Sequence, residues 1–288
     1  MKNKLFEPNT FKLNELMLLG EAFLLENNIE NSKKEIEWFV IDKFQLKLQD
    51  IKLNNKKNLS EKNKFFFIDF IKRRSQGYPF QYILNKSSFY GYDFFVTEDT
   101  LIPRPETELI IDVAKKHGSF DFCLDIGTGS GNLSITLFKE KVVKQVHAID
   151  ISEKALLVAE KNKKIHGATE ISFEKIDFLN YNFRKKYDLI VANPPYITKK
   201  DYKKLPIEIK SYEPKIALTD FEDGLTFYKK ISKNIPLILN KNGVLIVEIG
   251  LENTKKEIDF IFRKSNFILK WYKDLNNNYR ALKVVHSC

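Results

Sequence analysis

Cysteine is nearly absent from this chain: there are 2 in 288 residues, Cys123 inside an apolar run and Cys288 at the last position. Two such residues supply no disulfide framework and fit a reducing compartment. The 4 histidines, His117, His147, His166 and His286, complete no ligand spacing with either thiol, so no metal is expected. No segment approaches the roughly 18 uninterrupted apolar residues of a membrane-spanning helix. The opening stretch MKNKLFEPNTFKLNEL carries charges where a secretory signal needs an apolar run. A soluble, cytoplasmic protein is expected. Internal repeats and long low-complexity tracts are missing as well.

What is present is 43% hydrophobic residues in a length that suits one large domain or two modest ones. Disorder is excluded. Lys+Arg 48 against Asp+Glu 38 leaves a net charge of +10. That balance fits a nucleic-acid partner, an acidic protein partner, or a compositional bias in which Lys accompanies Asn and Ile throughout.

Residues 1–84 read as a small helical domain. In NELMLLGEAFLLENN, Leu16, Leu19 and Phe23 fall on one face. SKKEIEWFVIDKF opens with Ser32 and Glu35 in capping-box spacing before Ile36, Phe39, Val40 and Phe44. SEKNKFFFIDFIKRRSQG is dense in Phe and ends in Arg73 and Arg74 before Gly77, a common helix stop. Nothing here carries chemistry, and a packed bundle with solvated charges accounts for it. Residues 85–100 read as a hairpin linker built on FYGYDFFV, with Gly91 at the turn. In LIPRPETE the prolines hold the chain extended before a helix that starts near Thr107.

Residues 101–288 form the last domain. Beyond Phe120 the pattern alternates strand and helix, which predicts a mostly parallel sheet with helices on both faces. Seven strands emerge: DFCLDI, QVHAI, ISFEKI, DLIVA, GVLIVEI, and the pair FILKWYK and ALKVVHS around an NNN turn. The closing hairpin implies at least one antiparallel edge strand.

Between the first strand and its helix lies GTGSG, which places Gly127, Thr128, Gly129, Ser130 and Gly131 in a turn that lets backbone approach a ligand. Its G-x-G-x-G spacing departs from the G-x-G-x-x-G of dinucleotide folds, which disfavours a dehydrogenase. The second strand ends in Asp150, where a carboxylate would accept from both hydroxyls of a ribose; capping the next helix is the plainer role. The third ends in Asp177 and Phe178, suited to an adenine amine and ring, or to a turn and a core aromatic. Three successive strand ends of this kind point to an adenosyl ligand.

The fourth strand ends in Asn193, Pro194, Pro195 and Tyr196. Neither proline can donate a ladder hydrogen bond, so the strand must stop and present its carboxyl end. The arrangement resembles the class I S-adenosylmethionine-dependent methyltransferases, and NPPY narrows it to those that methylate a conjugated nitrogen. Such a nitrogen has a delocalised lone pair; the same conjugation sets an amide rotation barrier of about 18–20 kcal/mol. The Asn193 side-chain carbonyl and the Pro194 backbone carbonyl can each accept one N–H of a target NH₂, while Tyr196 offers a stacking face. Asn193, Pro194 and Tyr196 are therefore the candidate catalytic residues. No strong base is needed, because deprotonation can follow methyl transfer, the N-protonated amide then formed being strongly acidic.

Together with GYPFQYI, LIPRPETE, YEPKIAL, DGLTFYKKI and VEIG, these motifs resemble the bacterial PrmC/HemK family of peptide chain release factor glutamine methyltransferases over residues 70 to 250. The resemblance implies an α/β class I methyltransferase fold with a small all-α N-terminal domain. It implies S-adenosylmethionine as cofactor, S-adenosylhomocysteine as product, and methylation of N5 of the Gly-Gly-Gln glutamine in class 1 release factors. By position, the glycine loop, Asp150, Asp177, Phe178 and Asn193 would bind the cofactor, and Asn193, Pro194, Pro195 and Tyr196 the glutamine. Arg104 and Glu106 would help close the pocket, with a surface ion pair as the plainer reading; Glu213 and Pro214 match a family position whose role the sequence does not supply. The helical domain would dock the release factor, with a monomer and neither membrane nor direct nucleic-acid contact expected. Asn85 and Phe221 depart from the family, standing where glycine is usual. Open alternatives are an adenine N6 methyltransferase acting on nucleic acid and a basic RNA-binding protein that keeps the fold without turnover.

Overall fold

A computed structural model of the chain describes residues 12–47, 49, 51, 59–250, 255–263 and 267–286. Cys288 and most of the opening stretch lie outside the described residues. The chain divides into two compact units, residues 1–86 with Ile207–Tyr212, and residues 87–206 with 213–288.

The first unit is built from α1 (Leu13–Glu26), α2 (Ser32–Phe44), α3 (Glu61–Ser75) and α4 (Phe80–Leu84). Their apolar faces meet in a core of Leu16, Leu24, Ile36, Val40, Phe67, Phe70 and Ile71. Phe39 stacks on Phe70 at 4.3 Å between centroids, and Phe67 meets both rings edge-on. The capping box expected at Ser32 does not form. Asn31 precedes the helix without a side-chain cap, and Glu35 turns instead to Arg74, which donates to it through Nε at 2.6 Å and Nη2 at 3.1 Å. Arg74 is thus buried rather than solvated, and it also reaches Glu208 at 3.3 Å in the short helix Ile207–Tyr212. Tyr212 packs edge-on to Tyr78 and donates to the Gln76 carbonyl. A paired guanidinium and an aromatic contact so draw into the helical unit a segment that sequence gives no reason to separate from the sheet.

The second unit opens with the hairpin of β1 (Ser87–Phe89) and β2 (Tyr92–Phe94), turned at Tyr90 and Gly91. Phe89 and Phe94 are buried in the core beneath the main sheet. After α5 (Glu108–His117) the chain runs through β3 (Phe120–Ile126), α6 (Asn132–Lys139), β4 (Val143–Asp150), α7 (Glu153–His166), β5 (Ile171–Lys175) and β6 (Tyr187–Ala192). It continues through α8 (Thr226–Ile238), β7 (Leu239–Glu248), α9 (Lys255–Arg263), β8 (Phe267–Lys273) and β9 (Tyr279–His286). The strands form one seven-stranded sheet in the order β5-β4-β3-β6-β7-β9-β8.

Alternation of side chains across the pleat assigns each face its core. Cys123, Leu189, Val191, Val244 and Ile246 point to the layer of α5 and α6, while Leu124, Ile190, Ala192, Leu245 and Val247 point to that of α8 and α9. Because both faces are covered, the central strands read as continuous apolar runs. The antiparallel strand is β9, which lies inside the sheet between β7 and β8. This corrects the expectation of an antiparallel edge: Ala281, Leu282 and Val284 are buried, whereas β8 exposes Ile268 and closes the sheet. The chain leaves β3 toward β4 and β5, then returns to β6 on the other side, so β3 and β6 flank a topological switch point, where open sheets hold ligands.

The two family departures share a backbone state. Asn85 has φ 54° and Phe221 φ 65°, both left-handed. That state costs an L-residue on the order of 1–2 kcal/mol, which glycine escapes at a smaller entropic cost. Phe221→Gly is expected to raise stability by about 0.5–1 kcal/mol in urea unfolding, and Asn85→Gly by less, since Asn tolerates this region. Destabilisation by Phe221→Gly would show that its exposed ring contributes more than its backbone costs.

Candidate active site

A cavity of about 300 Å³ opens over the carboxyl ends of β3, β4, β5 and β6. Its walls include Gly127 to Ser130, Asp150, Asp177, Phe178 and Asn193 to Pro195, joined by Thr107, Asp220 and Phe227.

The glycine loop adopts the positive φ its residues allow, 73° at Gly127, 55° at Gly129 and 80° at Gly131. Gly127 and Thr128 donate their backbone N–H groups to the Ile149 carbonyl, pinning the loop to the end of β4. Asp150 accepts from Gly129 N at 2.9 Å and from Ser152 N at 2.9 Å. Helix capping and loop fixation are thus both present, yet they occupy two of the roughly four acceptor directions of a carboxylate, leaving two for a pair of hydroxyls. Burial raises the Asp150 pKa, against the pull of those backbone N–H groups. Beneath the loop, buried Asp125 accepts from Thr128 Oγ1 at 2.7 Å and Ser134 Oγ at 2.6 Å. Desolvation pushes its pKa up to about 6, and its Oδ1 has no hydrogen-bond partner among the described residues.

Asp177 holds its own turn, accepting from Leu179 N and Asn180 Nδ2. Phe178 belongs to the core, parallel to Phe227 at 6.3 Å, while one side of it faces the cavity. The plainer roles of both residues are therefore real, and both still line the cavity.

The NPPY end is held from behind. Asn193 Nδ2 donates to Thr107 Oγ1 at 3.0 Å, and Thr107 Oγ1 donates to Glu248 Oε2 at 2.6 Å. The other carboxylate oxygen, Oε1, accepts from the Tyr196 hydroxyl at 3.0 Å. Glu248 is fully buried at the end of β7, and desolvation pushes its pKa up to about 7. Burial, then Glu248, raises the Tyr196 pKa far above the ordinary phenol value. Gly250 lies flat under the Tyr196 ring; a Cβ there would sit 2.9 Å from Tyr196 Cδ2. At the cavity rim, buried Glu213 accepts from Ile102 N at 3.2 Å and Arg104 Nη2 at 2.5 Å, fixing the extended LIPR segment.

Of the residues singled out by sequence, Gly127 to Ser130, Asp150, Asp177, Phe178, Asn193, Pro194 and Pro195 converge on one cavity. Gly131 and Tyr196 stand outside its lining: Gly131 starts α6 against Ile135 and Ala159, and Tyr196 is tethered to Glu248. Arg104 lines the cavity and pairs with Glu213, while Glu106 does not line it. Thr107, Asp125 and Glu248 were not singled out by sequence reasoning. The available signals were an acid ending a wholly apolar strand in VEIG and an acid just before the glycine loop, each a charge where a buried run predicts none.

Residues 121–281 match the methyltransferase domain family, and residues 15–84 match the PrmC N-terminal domain. The release factor glutamine methyltransferase of Fusobacterium nucleatum is 35% identical over 286 residues, 96% of this chain and 80% of that protein. The Bacillus cereus protein of the same name is 36% identical over 245 residues, 82% of this chain and 86% of that one. Among solved structures, a methyltransferase from Pyrococcus furiosus superposes with a TM-score of 0.54 at 17% identity over 70% of this chain and 92% of that one, which shows the shared fold. Matched over nearly its whole length, the chain belongs to the family of release factor glutamine methyltransferases, enzymes that depend on S-adenosylmethionine.

Proposed function

We propose that this chain methylates N5 of the glutamine in the Gly-Gly-Gln motif of class 1 release factors. The observation that carries the reading is the anchored Asn193 amide: Thr107 takes its Nδ2, so its carbonyl is the end left for a ligand in the cavity. That carbonyl and the Pro194 backbone carbonyl accept the two N–H bonds of a carboxamide and aim the nitrogen lone pair, which otherwise is shared with the adjacent C=O. Pro195 fixes the direction of the Pro194 carbonyl, and Tyr196 bounds the approach of the glutamine from beyond the cavity wall. The proton leaves to water once the nitrogen has four bonds, so no buried base is required.

The cavity fits S-adenosylmethionine, which when bound supplies an electrophilic methyl group on sulfur. Asp150 keeps two acceptor directions for the ribose, Gly127 and Gly129 carry no side chain to obstruct close approach to the loop backbone, and Asp177 and Phe178 flank the adenine end. Arg104, fixed by Glu213, borders the rim. The helical unit, with residues 1–84, docks the release factor, and the positive net charge steers an acidic partner toward a monomeric, cytoplasmic enzyme. No helix among the described residues is long and apolar enough to cross a membrane.

Asp150→Ala is expected to weaken S-adenosylmethionine binding about 10- to 100-fold by calorimetry, the loss of hydrogen bonds to a charged acceptor; an unaltered dissociation constant would refute the ribose assignment. Asn193→Ala should leave that constant within about threefold and lower kcat on the order of 10²-fold or more. Incubation with labelled cofactor should mark an intact release factor, and neither its Gln-to-Ala variant nor duplex DNA. Label on DNA alone would overturn the substrate assignment.

A further inference from the structure

Which end of the Asn193 amide meets the substrate is decided two residues away from the reacting atoms. We propose that Glu248, acting through Thr107, is the positioning residue that keeps the Asn193 carbonyl turned toward the substrate carboxamide. The inference rests on the reading of Asn193 as an acceptor of substrate N–H.

The logic is donor arithmetic. An ionised carboxylate can only accept, so Thr107 commits its single hydroxyl proton to Glu248 Oε2 at 2.6 Å. With that proton committed, Thr107 Oγ1 can meet Asn193 at 3.0 Å only as an acceptor, which requires the amide NH₂ at that place. The planar amide then presents its oxygen on the opposite side. Tyr196 donates its own hydroxyl proton to Oε1, so one carboxylate orients both polar members of NPPY. Protonating Glu248 turns it into a donor. With the proton on Oε2, Thr107 Oγ1 must accept it, the Thr107 proton is released toward Asn193, and the amide can turn its NH₂ toward the substrate NH₂. Donors then face donors.

The groups around Glu248 decide when that happens. Tyr196 and Tyr228 face it as phenols whose pKa values are raised by burial, and the Tyr228 hydroxyl donates to the Glu248 backbone carbonyl. Arg280 favours the ionised carboxylate and Glu106 disfavours it. Desolvation outweighs the favourable partners and leaves the Glu248 carboxyl titrating near neutrality, so the active, ionised form is lost as pH falls through about 7. The buried, satisfied network holds only while the acid is charged.

The test compares kcat against pH with a release factor as substrate, for wild type, Thr107→Val, Thr107→Ser, Glu248→Gln and Asn193→Ala, with cofactor affinity measured for each. Wild type should lose turnover as pH falls through about 7, and Glu248→Gln should be slower with that acid limb removed. Thr107→Val should lose on the order of 10²-fold in kcat with KM for the cofactor little changed, Thr107→Ser should restore most of it, and Thr107→Val added to Asn193→Ala should cost nothing further. An unchanged kcat in Thr107→Val, or an acid limb that persists in Glu248→Gln, overturns the proposal while a deficient Asn193→Ala leaves the acceptor reading standing. A fully active Asn193→Ala removes the acceptor reading itself. Should Thr107→Val not fold, the pH profile of Glu248→Gln decides alone.

Discussion

An Asn side chain can hold the NH₂ of another carboxamide only with its own oxygen, and a freely rotating Asn would offer oxygen and NH₂ equally. The short hydrogen bond from Thr107 to Glu248 breaks that symmetry, and much of the molecule is arranged to keep it. Thr107 comes from the IPRPETE turn before α5, Asn193 from the end of β6, Glu248 from the end of β7, and Gly250 from the residues just beyond. Thr107 and Glu248 are 141 positions apart in sequence, yet adjacent because β6 and β7 pair in parallel register and α5 packs against that face of the sheet. Three motifs that look independent along the chain, IPRPETE, NPPY and VEIG, are therefore joined by hydrogen bonds among Thr107, Asn193, Tyr196 and Glu248.

Such an assembly is costly to fold. Asp125 and Glu248 are buried carboxyls whose pKa values rise to about 6 and about 7, and Asp150 is raised as well, burial being the first cause in each. A carboxyl that holds its proton longer in the native state favours folding below its unfolded pKa, and that advantage disappears as pH rises through the folded value. At neutral pH these groups work against stability in order to keep oriented acceptors out of water. Perturbed acids gathered at strand ends are what a functional site requires, and the extensive apolar layers on both faces of the sheet supply the offset.

Much of this was legible in the sequence because parallel strands buried on both faces read as apolar runs, and each run ends where a polar residue begins. Gly127, Asp150, Phe178 and Asn193 could be named from their place at strand ends alone. Partnerships were not legible. Glu35 has capping-box spacing, but a cap is worth about 1 kcal/mol and a bidentate pair with buried Arg74 competes for the same carboxylate. Glu213 matched a family position without a role and Thr107 was not singled out, because the partner of each lies far along the chain, Arg104 at 109 positions and Asn193 at 86. The inward place of β9 depends on which hairpin strand has both faces apolar at its centre, a comparison that strand-by-strand reading does not make.

The most direct measurement is a high-resolution structure of the enzyme with S-adenosylhomocysteine and a Gly-Gly-Gln peptide. The glutamine nitrogen should lie about 2.7–3.2 Å from both Asn193 Oδ1 and the Pro194 carbonyl oxygen, with Asn193 Nδ2 still on Thr107. A glutamine seated elsewhere, or an Asn193 that turns its NH₂ toward the peptide, would contradict the account.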